Sequence, residues 1–442
     1  MPIGGRESVS IAVLSPYPAA TRADQHADTV MTMPSASSSD APLLDPMPLR
    51  ADTPGAAQVT HLNNAGSALP PQIVVDTQIA HLRREAEIGG YEAHAEAVQR
   101  VSDVSVSVAR LMRSRPDQVA LVESATVAWD RALQAIVHTE PLEPGDRILI
   151  ASAEYASNVL PLLQLAARTG AIVQAVPDGP DGSVDVEALT GMLDEDVRIV
   201  SITHAPSHNG VVNDVVSIGD ALRFSGSAAW YLVDACQSVG QMTVDASRIG
   251  ADFICATGRK FLRGPRGTGF LIASDRALTD LEPYPLDLHS ATWTGGSGYS
   301  VARGARRFET WERSYAALLG MGAAIDYALD LGLDAIRERI DYLATRLRTE
   351  LDEIDGVMVR DRGSVKSGIV TVTVPAPGAP EMVRALRERG INTSLSTPDY
   401  APDEFARQGI ESMVRLSPHA YTTDEEIDLA IATIASLVTH PS

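Results

Sequence analysis

The chain has 442 residues and a mass of 47.0 kDa, with 45% apolar and 21% charged residues, a balance that excludes a mostly disordered or collagen-like protein. Lys and Arg number 36 against 57 Asp and Glu, for a net charge of −21; binding to a phosphate backbone or to an anionic membrane surface needs a basic footprint, so nucleic acid and membrane are not expected partners. The two cysteines, Cys236 and Cys255, exclude a disulfide framework. With no Cys/His cluster at zinc spacing and no run approaching about 18 apolar residues, a metal-free, cytoplasmic protein is expected.

Residues 1–55 hold Pro16, Pro18, Pro34, Pro42, Pro46, Pro48 and Pro54 and the polar patch SASSSD. Such a stretch buries too little apolar surface to offset its ordering entropy and reads as a disordered tail. From residue 58 the pattern changes. HLNNAGSALPP reads as a short strand and loop, and the next segment as a helix that starts at Pro71 and stops at Gly89-Gly90. EAHAEAVQRVSDVSVSVARLMRS is a second, amphipathic helix. Apolar strands then alternate with helices. The strands are QVALV, DRILIAS, AIVQAV, VRIVSIT, AWYLVDA, ADFICAT and GTGFLIA; the helices start at Ser124 and run through ASNVLPLLQLAARTG and VVSIGDALRFSG. Strands as uniformly apolar as VRIVSIT belong in a mainly parallel sheet buried on both faces, so an α/β fold is expected over residues 56–310. Beyond residue 310 two long helices precede the short strands GIVTVTV and VRLSPH and a closing helix, TTDEEIDLAIATIASLVT. That segment reads as a smaller α+β domain, 311–442.

Open α/β sheets bind ligands beyond the carboxyl ends of their strands, and four such points carry polar residues. Asp234 ends AWYLVDA, with Gln237 three residues on. A buried carboxylate there needs a cationic partner, such as a protonated pyridine nitrogen, or else it caps a helix. Lys260 follows ADFICAT beside Arg259, with Thr257 ahead and the glycine-rich GPRGTG after it. This is either a Schiff-base lysine made partly neutral by burial and a neighbouring cation, or a solvated basic loop. Ser124-Ala125-Thr126 opens a helix, an ordinary N-cap or a phosphate cradle. Tyr155, with Asn158 nearby, either stacks on a flat ring or packs in the core. Phosphate cradle, stacking ring, strand-end carboxylate and lysine together match pyridoxal 5'-phosphate, which has a phosphate, a flat ring, a basic ring nitrogen and an aldehyde.

DACQ, ATGRK, GPRGTG and VRLSPHAYTTDEEID closely resemble the class V aminotransferase family of fold-type I pyridoxal-phosphate enzymes, over about residues 60–438. That family includes cysteine desulfurases, isopenicillin N epimerase-like proteins and ergothioneine-type carbon–sulfur lyases. The resemblance implies a large domain built on a mainly parallel seven-stranded sheet, a smaller C-terminal domain, and a homodimer with the site at the interface. It implies that Lys260 joins the cofactor aldehyde and moves protons, that Asp234 pairs with the ring nitrogen, and that Gln237 lies near the ring hydroxyl. It further implies that Tyr155 replaces the usual stacking histidine, and that Ala125, Thr126, Thr257 and Arg259 hold the phosphate. Arg415 matches the arginine that takes the substrate α-carboxylate, and Asn64 and His208 fall in segments that approach the amino-acid substrate. Trp293 to Gly296 would reach the partner's cofactor phosphate.

Two departures from the family stand out. GINTSLSTPDY, where desulfurases carry a persulfide-forming cysteine, has none, and Ser394 stands near the place of a second carboxylate-binding arginine. The segments REAEIGGYEAH and SHNGVV resemble the ergothioneine-type lyases. The expected reaction is therefore β-elimination on a sulfur-substituted cysteine, with racemisation or transamination, and then a catalytically silent cofactor-binding scaffold, as alternatives.

Overall fold

The computed structural model describes residues 43–439. Among the described residues fifteen strands are formed: β1 (Thr60–His61), β2 (Val119–Val122), β3 (Arg147–Ile150), β4 (Ile172–Ala175), β5 (Val197–Thr203), β6 (Trp230–Asp234), β7 (Phe253–Thr257), β8 (Gly269–Ala273), β9 (Ala291–Gly295), β10 (Gly298–Val301), β11 (Met358–Val359), β12 (Val370–Thr373), β13 (Ile391–Asn392), β14 (Ser394–Ser396) and β15 (Met413–Leu416). Seven of them form the main sheet in the order β2-β8-β7-β6-β5-β3-β4. From β7 to β4 all neighbours run parallel, and β8 alone is antiparallel to both of its partners.

Burial falls off toward the β4 edge, while β2, at the other edge, is buried throughout. Every residue of β6, β7 and β8 is buried, whereas β4 lies at an edge and none of its residues is fully buried. The sheet carries helices on both faces. Val215, Ile218 and Leu222 of the helix Val215–Ser225 pack on one side. Trp129 and Leu133 of Ala125–Thr139 and Leu162 of Ala156–Thr169 pack on the other. This is the three-layer arrangement expected of alternating strands and helices.

Pro71 precedes the helix Gln72–Ile88, and Gly89 ends it at φ +100°, a conformation that favours glycine; the next helix, Gly90–Met112, starts at once. Glycine is also required at Gly269, where a Cβ would come within 2.7 Å of both the Ala256 oxygen and the Ser124 carbonyl carbon. The start of β8 thus lies directly against the N-terminus of the helix Ala125–Thr139.

The change of core falls later than residue 310. The helix Tyr315–Leu331 packs against the two helices that span 72–112, and its Leu318, Met321 and Ile325 belong to the core of the main sheet. The second core begins in the following helix, Leu333–Asp352, with Leu343, Leu347 and Leu351. These residues meet Val370 and Val372 of β12, Val414 and Leu416 of β15, and Ile427 and Ile434 of Asp424–Thr439. Leu62, distant in sequence, joins them. The strands of this core form an antiparallel sheet in the order β11-β12-β15-β14.

The expectation of a disordered tail over 1–55 fails at its C-terminal end. Residues 1–42 lie outside the described residues, but a helix forms at Pro46–Ala51, capped by the Asp45 side chain accepting from the Met47 N–H at 3.0 Å. Two of its prolines fall in the first turn, where a missing N–H costs nothing. Arg50 pairs with Glu426 at 2.7 Å and donates to the Ala56 carbonyl, while Leu49, 2% exposed, enters the core of the main sheet. Replacing Leu49 by alanine is expected to lower stability by about 2–5 kcal/mol, read as a lower denaturant midpoint; an unchanged midpoint would show that this helix contributes nothing to the fold.

Candidate active site

Nearly all the polar points singled out in the sequence converge on one cavity at the carboxyl ends of the parallel strands. Its wall includes Ser124, Ala125, Thr126, Tyr155, Asn158, His208, Asp234, Gln237, Thr257, Arg259 and Lys260. The Ser124 hydroxyl accepts from the Val127 N–H at 3.2 Å. The N–H groups of Ala125 and Thr126, at the first two helical positions, have no intrahelical acceptor, and both residues line the cavity. A phosphate fits that cradle.

Asp234 ends β6 and is buried. Its Oδ1 accepts from the Cys236 N–H at 2.9 Å and its Oδ2 from the Asn158 side-chain amide at 3.0 Å. Gln237 donates to the Ala65 carbonyl at 3.1 Å, while its side-chain oxygen is buried without a hydrogen-bond partner. An orphaned acceptor on the cavity wall suits a hydroxyl donor such as the one on the expected cofactor ring. Lys260 follows β7 with its amine 5.9 Å from the centre of the Tyr155 ring. Burial lowers the pKa of this amine from the usual lysine range; Arg259 and Arg415 add to that, while Cys236 and Asp234 act against it. The residues present therefore fit pyridoxal 5'-phosphate at every one of its polar groups.

Thr257 and Arg259 line the cavity, but both are engaged elsewhere. The Thr257 hydroxyl donates to the Thr268 carbonyl at 3.2 Å, and an Arg259 guanidinium N–H donates to the Gly66 carbonyl. Arg415, on β15, reaches the site from the second core. It donates to the Ser207 carbonyl at 3.0 Å and to the Asn63 side-chain oxygen at 3.3 Å, and its buried Nε has no partner. Burial pushes its pKa down to about 10, which still leaves it a cation at neutral pH. Ser394 of β14 pairs in register with Arg415. His208 stacks at a tilt on Phe405, 5.7 Å between centroids, and burial pushes its pKa down to about 4, so it is neutral at pH 7.

Asn64 does not join the cavity wall. Its amide donates to the carbonyls of His61 and Ser417, at 3.2 and 2.8 Å, and its oxygen accepts from the Tyr421 hydroxyl at 2.6 Å. Both amide hydrogens and the oxygen are thus engaged within the protein, one of them tying the segment after β1 to Ser417, and its neighbour Asn63 is the residue that touches Arg415. Trp293 to Gly296 form the exposed hairpin β9–β10, outside the cavity. Cys255 lies within β7 in the core, whereas Cys236 lines the cavity.

One buried residue escaped the sequence reading. Glu154 accepts from the Thr203 N–H at 2.8 Å, from the Asn158 amide at 2.9 Å and from the Thr203 hydroxyl. Burial, with a smaller contribution from Asp234, pushes its pKa up to about 7. A glutamate after an apolar strand carries no signal of burial in a sequence; the partner 49 residues away supplies it. Among the described residues no cluster of His, Cys, Asp and Glu is suited to a metal ion, and no single helix is long and apolar enough to cross a membrane.

Residues 60–429 match the family model described as aminotransferase class-V. A protein named probable cysteine desulfurase, from Methanothermobacter thermautotrophicus, is 28% identical over 395 residues, spanning 88% of this chain and 97% of its own. A cysteine desulfurase of Salmonella newport is 26% identical over 387 residues, spanning 85% and 92%. Among solved structures, a cysteine desulfurase from Thermococcus onnurineus aligns with a TM-score of 0.82 at 22% identity, over 90% of this chain and 99% of that one. The cystine C–S lyase C-DES, in complex with cysteine persulfide, aligns with a TM-score of 0.78 at 23% identity, over 87% and 99%.

Proposed function

Because this chain belongs to the class V aminotransferase family, fold-type I enzymes that depend on pyridoxal 5'-phosphate, we propose that it breaks the Cβ–S bond of a sulfur-substituted L-cysteine by elimination. Relatives named for cysteine desulfuration support carbon–sulfur chemistry. One observation carries the choice of elimination over sulfur uptake on the protein. The chain has two cysteines, neither lies in residues 390–400, and burial pushes both thiols well above the usual range. A thiol kept protonated does not attack sulfur, because the thiolate is the nucleophile.

When bound, pyridoxal 5'-phosphate supplies an electron sink for the pair released at the substrate Cα. The chain's own groups do the rest. The N–H groups of Ala125 and Thr126 would hold the phosphate, and Tyr155 would pack on the ring. Gln237 would accept from the ring hydroxyl, and Asp234 would hold a proton at the ring nitrogen. Arg415 grips the substrate carboxylate with its planar fork. Lys260, its amine desolvated, takes the α-proton and then serves as the acid for the departing sulfur. Thr257 and Arg259 shape the phosphate side of the wall, and neutral His208, backed by Phe405, faces the substrate. The balance is one water consumed and one thiol (a sulfenic acid when the substrate is a sulfoxide), one pyruvate and one ammonium formed. A homodimer is part of this reading. Tyr284, Leu288, Trp293 and Tyr299 surround one exposed apolar hollow, a face suited to a second copy.

Incubation with cysteine S-conjugates and cysteine sulfoxides is expected to release pyruvate and ammonium in equal amounts, with no persulfide on the protein. No pyruvate from any of them would sink the elimination reading.

A further inference from the structure

Behind the cavity wall lies a second carboxylate that the reaction as described leaves without a role. Glu154 follows β3 and is buried. Its hydrogen-bond partners are the Thr203 N–H and hydroxyl, the Asn158 amide, and the Tyr155 N–H at 3.1 Å. The two N–H groups and the amide can only donate, the Thr203 hydroxyl also donates, and none is cationic, so the set solvates the carboxylate as an anion above the pH of about 7 to which burial raises its pKa. The Asn158 nitrogen is forked: it donates at 2.9 Å to Glu154 and at 3.0 Å to Asp234. One amide thus ties together two buried carboxylates on different strand ends. The other titratable groups around the pair are the thiols of Cys236 and Cys255 and the Lys260 amine on the cavity side.

A purely structural role, pinning the loop after β3 to β5, needs only hydrogen bonds, and a neutral amide would serve. A charge does something an amide does not. Burying an anion is costly, and the field of that anion acts on Asp234 and on whatever faces it. We propose that Glu154 is a positioning residue for the reaction: through Asn158 it fixes the Asp234 carboxylate and places a second negative charge behind it, which keeps the ring nitrogen opposite Asp234 protonated. This rests on the cofactor reading above.

The test uses holoenzyme reconstituted with pyridoxal 5'-phosphate isotope-labelled at the ring nitrogen. In Glu154→Gln the nitrogen's chemical shift is expected to move toward the unprotonated value, and its titration to move to lower pH by about one unit, the effect of one charge removed at this separation in a partly screened interior. The cofactor's dissociation constant is expected to rise about tenfold, and kcat to fall about tenfold with KM within about twofold. An unchanged nitrogen signal in a folded variant overturns the proposal. Should Glu154→Gln fail to fold, Glu154→Ala, which also removes the charge and leaves room for water, is expected to show the same displacement; an unmoved signal there overturns it equally. A wild-type protein that takes up no pyridoxal 5'-phosphate would bring down the functional reading itself, whereas a coloured wild type with an unaffected Glu154→Gln would bring down this inference alone.

Discussion

Replacing Lys260 with alanine is expected to slow pyruvate release by at least about 10³-fold, within the range that a positioned proton-transfer group contributes, and to abolish the visible absorption band that appears when pyridoxal 5'-phosphate is added. The amine is the group in the cavity set up to be a neutral base. Burial lowers its pKa, and the two nearby arginines, Arg259 and Arg415, reinforce that. In the wild type the rate should therefore rise with pH as the ammonium gives up its proton, at a midpoint below that of an ordinary lysine. In the alanine variant that limb should vanish. Partial rescue by added methylamine would return the base without the side chain. A variant that keeps more than about a tenth of the wild-type rate would assign the proton transfer to another group. The change leaves a gap in an existing cavity and none in a packed core, so the fold should survive, as a far-UV spectrum would show.

Removing Arg415 is the second large effect. Arg415→Ala is expected to cut kcat/KM by about 10²-fold or more, mostly through KM. Truncating one member of a desolvated charge pair costs a few kcal/mol, and the substrate carboxylate would lose its only fork-shaped partner in this reading. Arg415→Lys keeps the charge but not the paired donors, and should recover part of the loss. The check is a substrate whose α-carboxylate is replaced by a carboxamide. Its turnover, already slow, should barely respond to Arg415→Ala, because the interaction is gone before the mutation. Equal losses on both substrates would mean that Arg415 merely holds Ser207 and Asn63, which it contacts at 3.0 and 3.3 Å.

Local chemistry makes some of this molecule readable from its residues in order. Runs such as VRIVSIT and AWYLVDA have too few polar positions for any place but the middle of a sheet covered on both faces, and there they lie. Pro71 and Gly89 bound their helix because one lacks an N–H and the other tolerates positive φ. Asp234 and Lys260 were legible for a related reason: a charged residue directly after an apolar strand falls at the sheet end where ligands bind, and the motifs around both belong to a family that uses them.

What failed to show was everything settled by partners far along the chain. Leu49 sits among prolines, and its contact with the main core, with the Arg50–Glu426 pair, is what fixes the segment as a helix. Asn64 and Asn63 are interchangeable as letters, yet packing of β1 on the second core spends one on backbone carbonyls and turns the other toward Arg415. Composition, periodicity and strand-end chemistry thus determined the class of fold and, together with the family motifs, pointed to the cofactor and to the residues proposed to hold it. Only tertiary structure decided the tie between Glu154 and Asp234, because hydrogen bonds and burial depend on which distant segments share a space, and residues 154 and 234 meet solely through the adjacency of β3, β5 and β6.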